Sequence, residues 1–187
     1  MNIYLDYRSR LLNLARDSIQ HGLNHGSPLH VDMTHFPEQV LQETKASFVT
    51  LHQHGELRGC IGQLIATRPL VVDIAMNAYA AAFQDPRFPA LTQEEYPHIT
   101  LDISILSQPE RLAAHTDEEI LAEIEPRRDG LIIEKGARRG TFLPSVWEQL
   151  PNPTEFLRHL KHKAGISEED QSSEIVYYRY QIEILCE

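Results

Sequence analysis

An α+β domain, built on a mainly antiparallel sheet with flanking helices, is what three features of the sequence predict. Short alternating β-rich runs are joined by turns of hairpin length rather than by helical crossovers. Segments with helical periodicity are interspersed among them. At 187 residues the chain is long enough to bury its own core as one domain, residues 1–187, without disulfides or metals.

The elements follow in order. Tyr7, Leu11, Leu12, Leu14, Ala15 and Ile19 recur at helical spacing, so residues 6–21 read as an amphipathic helix with Gly22 as its stop. Residues 22–37 bring Gly, Ser, Pro and three histidines together without a period, as a surface loop does, and a short helical stretch follows over 37–43. Residues 47–52 are rich in β-formers, Gly55 marks a turn, and 57–64 resume an extended pattern: a β-hairpin. Pro69 opens an alanine-rich helix over 70–83 that Asp85-Pro86 ends. Over residues 99–106, Ile99, Leu101, Ile103 and Ile105 alternate with Thr100, Asp102 and Ser104, the pattern of a half-buried strand. Thr116 and Glu119 make a capping box for a short helix bearing Ile120, Leu121 and Ile124. Residues 130–134 and 140–143 read as strands around a turn, and 144–150 as a helical turn. Thr154 is the expected N-cap of a helix to Ala164, with Gly165 as its left-handed terminator and Lys161 and Lys163 at the negative end of its dipole. Val176, Tyr178, Tyr180, Ile182 and Ile184 alternate in one terminal strand over 175–186.

Charge narrows the function. Seventeen Lys and Arg against twenty-seven Asp and Glu give −10, which repels a phosphate backbone and argues against nucleic acid. The one basic concentration, Arg127, Arg128, Lys135, Arg138 and Arg139, is interleaved with Glu125, Asp129 and Glu134 and reads as solvated surface. The two cysteines, Cys60 and Cys186, suggest neither a disulfide framework nor a zinc site. Asp6, Arg8 and Arg10 interrupt any leader-like core in residues 1–14, and no run approaches a membrane span, so a reducing cytoplasm is expected. Dinucleotide, kinase and metalloprotease motifs are absent, and no cofactor is expected.

Strand periodicity places Arg58, Cys60 and Gly62 on one face. A guanidinium beside a thiol favours the thiolate, so Cys60 is a candidate nucleophile with Arg58 as its activator. The alternative is that Cys60 is a small core residue, and that Gly59 and Gly62 serve close packing. His52 and His54 share a face of the preceding strand. A two-residue turn sets Val49 and Leu51 on the face of Cys60, whereas a three-residue turn brings the histidines there. No metal site is assigned, because no fourth ligand is evident. Asp85 and Arg87 in Asp85-Pro86-Arg87-Phe88 form either a clamp for a polar ligand or a structural turn with Phe88 plugging the core. His159 and His162, with Lys161 and Lys163, read as a solvated helix face.

Taken together, Leu57-Arg58-Gly59-Cys60-Ile61-Gly62, Asp85-Pro86-Arg87-Phe88, Gly140-Thr141-Phe142-Leu143-Pro144 and Lys163-Ala164-Gly165 resemble the successive blocks of the AMMECR-type domain over residues 5–185. The resemblance implies two unequal subdomains around an antiparallel sheet, and a functional surface at Arg58, Gly59, Cys60 and Gly62. It further implies work beside Memo-like and radical-SAM proteins, with which such domains are often encoded as a three-component system. It implies no reaction. Two positions depart from the pattern: Asp102 stands where the family commonly has Glu, and residues 167–174 lack an expected tryptophan. The chain thus reads as a small-molecule or partner-binding module. The alternatives are a cysteine-dependent enzyme, with His52 or Asp85 moving protons, and a purely structural motif with a fully buried sulfur.

Overall fold

A computed structural model describes residues 3–114 and 116–187; Met1 and Asn2, on which the N-terminal reading begins, lie outside them, as does His115. In chain order the elements are α1 (Arg8–His25), α2 (Gln39–Gln42), β1 (Ser47–Gln53), β2 (Glu56–Gly62), α3 (Leu70–Phe83) and β3 (Ile99–Leu106). There follow β4 (Glu110–Arg111), α4 (Asp117–Glu123), β5 (Gly130–Lys135), β6 (Arg138–Phe142), α5 (Pro153–Lys163), β7 (Val176–Tyr180) and β8 (Ile182–Cys186). The chain divides into two compact units, Met1–Leu106 with Glu183–Glu187, and Ser107–Ile182. Each unit holds its own four-stranded sheet, where the sequence pointed to one sheet.

In the first unit the strand order is β2-β1-β3-β8, with β1 antiparallel to both neighbours. Alternation decides what each side buries. Val49, Leu51, Leu101, Ile103 and Ile105 join Leu11, Ala15 and Ile19 of α1 and Leu70, Ile74 and Ala78 of α3 in one core. Thr50, His52 and Asp102 face the other way and stay half-buried. α1 runs past its expected stop at Gly22 to His25 and closes on Gly26 at φ +69°. Gly22 instead lets α3 approach, since a Cβ there would lie 2.4 Å from the Phe83 ring.

The second unit orders its strands β4-β7-β5-β6. The Trp147 ring stacks on Phe156 at 3.7 Å within a core that includes Ile120, Leu131, Leu160 and Tyr177. The expected capping box at Thr116 and Glu119 is formed. At α5 the cap is Asn152, not Thr154: its side chain accepts from the N–H groups of Thr154 and Glu155, and Pro153 occupies the first turn, where its missing N–H costs nothing. Lys161, expected on a solvated face, is buried, and its ammonium donates to Asp117, the Glu168 carbonyl and the Asp170 carbonyl. The anticipated terminal strand is two strands in different sheets, interrupted at Gln181, which exchanges hydrogen bonds with Ser107.

Candidate functional site on the open face of the first sheet

The geometry around Cys60 is set by one extra residue. β1 and β2 are joined by a two-residue turn, His54-Gly55, with φ of +55° and +83° as a type I′ turn requires. Regular pairing from that turn would put Val49 opposite Cys60. A β-bulge intervenes: His52 pairs with Leu57 and Leu51 with Gly59, leaving Arg58 without a partner. From there on the register has slipped by one residue, so Thr50 stands opposite Cys60, and His52 shares that face.

The bulge separates Arg58 from Cys60, and the expected pairing of the two on one face is not formed. The Arg58 side chain, 8% exposed, forks Glu95 through Nε at 3.0 Å and Nη2 at 3.1 Å. That fork, with smaller help from the Thr92 N–H and hydroxyl, holds the Glu95 carboxyl down at about 2. Gly59 faces α3 so closely that a Cβ would lie 2.2 Å from the Ala81 carbonyl oxygen. Gly62 is likewise hemmed in by the Ser47 carbonyl and the Phe48 ring.

Asp85 and Arg87 cover the edge of β2. Asp85, with its side chain 2% exposed, accepts from the Cys60 N–H at 2.9 Å, and both its oxygens receive the Arg87 fork at 2.9 and 2.7 Å. Arg87 also donates to the Cys60 carbonyl at 3.3 Å. The outward N–H and C=O of Cys60 on this edge strand, which would otherwise be open to another strand, are thereby occupied. The Arg87 fork first, and the Cys60 and Arg87 N–H groups after it, hold the Asp85 carboxyl well below the usual carboxylate range. Phe88 does not plug the core. It is half-exposed, with the guanidiniums of Arg58 and Arg87 5.9 and 5.5 Å from its ring centre.

What remains on the open face is a row of polar side chains across three strands. The Thr50 hydroxyl donates to Cys60 Sγ at 3.3 Å. Asp102 pairs with Thr50 from the other side, and its Oδ2 lies 3.3 Å from His52 Nε2, both side chains about a third exposed. Cys60 is half-buried, not the fully buried sulfur of the structural reading. On β8, loss of water around the sulfur and then the Asp102 carboxylate push the Cys186 thiol up. His54 belongs to the turn, and among the described residues no three His, Cys, Asp or Glu side chains converge to hold a metal ion. Glu95 was no candidate in the sequence, and Thr50 and Asp102 entered without a site role, because the bulge that sorts these groups leaves no mark in the strand alternation.

Fold and site define a two-sheet α+β protein with a thiol on an open sheet face. The chain belongs to the AMMECR1 family, whose profile matches residues 12–185. A Thermotoga maritima protein is 40% identical over 167 residues, covering 88% of this chain and 90% of its own. A Methanocaldococcus jannaschii protein is 39% identical over 160 residues, covering 81% and 77%. The crystal structure of an uncharacterized protein, PH0010, from Pyrococcus horikoshii matches 96% of this chain and 90% of that one, at a TM-score of 0.78 and 32% identity.

Proposed function

We propose that the chain is a small-molecule-binding module whose site is the open sheet face around Cys60, and that it works with Memo-like and radical-SAM proteins in a reducing cytoplasm. The division of labour among the motif residues supports the first part. Arg58, Gly59, Asp85 and Arg87 are engaged in ion pairs, packing and edge cover, whereas Thr50, His52, Cys60 and Asp102 stand side by side and partly open to solvent. The partners rest on the family resemblance, and the compartment fits two free thiols. Among the described residues no helix is long and apolar enough to cross a membrane. Titrating small-molecule fragments against isotope-labelled protein is expected to shift the resonances of these four residues as a group. Ligands that shift only residues elsewhere would remove the face from consideration.

A second reading, a cysteine-dependent enzyme, is favoured by two contacts: a hydroxyl proton directed at sulfur, and a histidine held by a carboxylate on the same face. It requires Cys60 to alkylate in the folded protein faster than Cys186. Labelling of Cys60 only on unfolding would rule it out.

A further inference from the structure

We propose that a second site in the first unit, a cleft between α1 and residues 29–36, binds a protonated amine carried on an apolar body. The cleft is separate from the Cys60 face. α1 packs on the side of the sheet that buries Val49 and Leu51, whereas Thr50 and Cys60 face the other way.

The cleft follows from how the chain returns after α1. Gly26 ends the helix at φ +69°, the Leu29 N–H donates to Ser18 Oγ at 3.2 Å, and the His35 carbonyl accepts from Arg10 at 2.8 Å, so residues 29–36 run back along the helix. The two walls do not close on each other. Between them lies a space of about 440 Å³, within the range of small-molecule pockets, roughly 300–1,000 Å³. Leu14 and Val31 are buried and Leu29 and Phe36 half-buried, so its floor is apolar.

Charge selects the ligand. Arg10 is the permanent cation of the lining, and it is already engaged: its guanidinium donates to Glu38 and to the His35 carbonyl and lies 5.3 Å over the Phe36 ring. Arg10, Asn13, Leu14 and Asp17 form one stripe of α1, which sets Asp17 ~10 Å along the helix from Arg10. Asp17 is exposed and, among the described residues, makes no ion pair or hydrogen bond. On the facing wall Asp32 accepts the Thr34 N–H and hydroxyl through Oδ1 alone, at 2.9 and 2.7 Å, leaving Oδ2 open. With His30 and His35 neutral, two carboxylates without a cation stand at the rim of an apolar floor. An ammonium group on a hydrocarbon body satisfies both features. An anion meets like charge, and a bare polyamine leaves the floor unfilled.

The test titrates 4-phenylbutylamine into the isotope-labelled whole chain at low ionic strength. The amides of Asn13, Leu29, Val31 and Phe36 are expected to shift together on one saturating curve, while those of Thr50 and Cys60 stay. 4-Phenylbutanol, the same body without the charge, should bind at least threefold more weakly, and 4-phenylbutyrate more weakly again. Asp17→Asn should weaken the amine about threefold, and Asp17→Asn combined with Asp32→Asn about tenfold, with the alcohol unaffected by either; each is the size of an exposed ion pair. Asn13→Trp, at an exposed helical position that lines the cleft, should fill it and abolish the shifts without lowering Tm. Equal binding of amine and alcohol, or an amine affinity unchanged in the double variant, overturns the charge selection. Spermidine shifting the same amides as strongly would reduce the site to surface charge. No saturating shift at residues 29–36 overturns the site itself and leaves the reading of the Cys60 face standing, because that face reports through its own resonances.

Discussion

At the scale of single residues, the motif around Cys60 mixes two kinds of position that the sequence displays alike. Gly59 has α3 against its Cα, so Gly59→Ala drives a methyl into the Ala81 carbonyl. Overpacking of this kind costs ~1–3 kcal/mol, and the urea midpoint of Gly59→Ala is expected to fall accordingly; an unchanged midpoint would mean the strand and α3 are less tightly joined. Asp85→Asn should cost about as much, ~2–3 kcal/mol, because it weakens two charge-assisted contacts at a buried carboxylate and leaves the Arg87 fork half-satisfied. The same unfolding measurement checks it. The types of these residues were legible in the sequence, whereas the fork between Asp85 and Arg87 was one of several arrangements that the turn allowed. The assignment of Arg58 to Cys60 does not match the structure. It followed from strict alternation, and a single bulged residue sends the guanidinium to Glu95, which is thirty-seven positions further along the chain.

At the scale of elements, strongly patterned segments were legible to the residue. The alanine-rich helix was expected over 70–83 and β3 over 99–106, and both have those bounds, because a buried helix and a half-buried strand each impose one unambiguous period. Ends were harder. Thr154 and Asn152 are both good N-cap residues near Pro153, and the preference of proline for the first helical turn decides for Asn152. Asn152→Ala is therefore expected to lower stability by ~1 kcal/mol and Thr154→Ala by less than ~0.5 kcal/mol; thermal melts of the two variants in the reverse order would return the cap to Thr154. The split of the C-terminal segment into β7 and β8 was beyond reach for a different reason. Apolar alternation runs unbroken from Val176 to Ile184, yet Tyr177, Tyr180 and Leu185 are the buried residues and Ile184 is 55% exposed. Which sheet a strand joins depends on partners distant in sequence, here Ser107 at the crossing point.

At the scale of the whole molecule, acid stability ties the site to the fold. Glu95 is held at about 2 by Arg58, and Arg87 holds Asp85 well below the usual carboxylate range. Both folded values are below those of the unfolded chain, so their contribution is fully present above about pH 4.5 and declines as pH falls, that of Glu95 being lost toward 2 and that of Asp85 persisting further into acid. Within that window the unfolded chain binds protons that the folded forks exclude, so each step down in pH favours unfolding. Stability measured by urea unfolding is expected to hold from neutral pH to about 4.5 and then decline. Glu95→Gln identifies one contributor. The variant is weaker at neutral pH, because the buried Arg58 loses its charged partner, but its acid limb should be shallower by up to one proton, or ~1.4 kcal/mol per pH unit. The two curves should therefore converge as pH approaches 2. Curves that stay parallel would place the Glu95 proton outside the folding equilibrium, and the Arg58–Glu95 fork would then be a surface contact rather than the anchor that keeps the bulge, and with it the slipped register of Cys60, Thr50 and His52, in place.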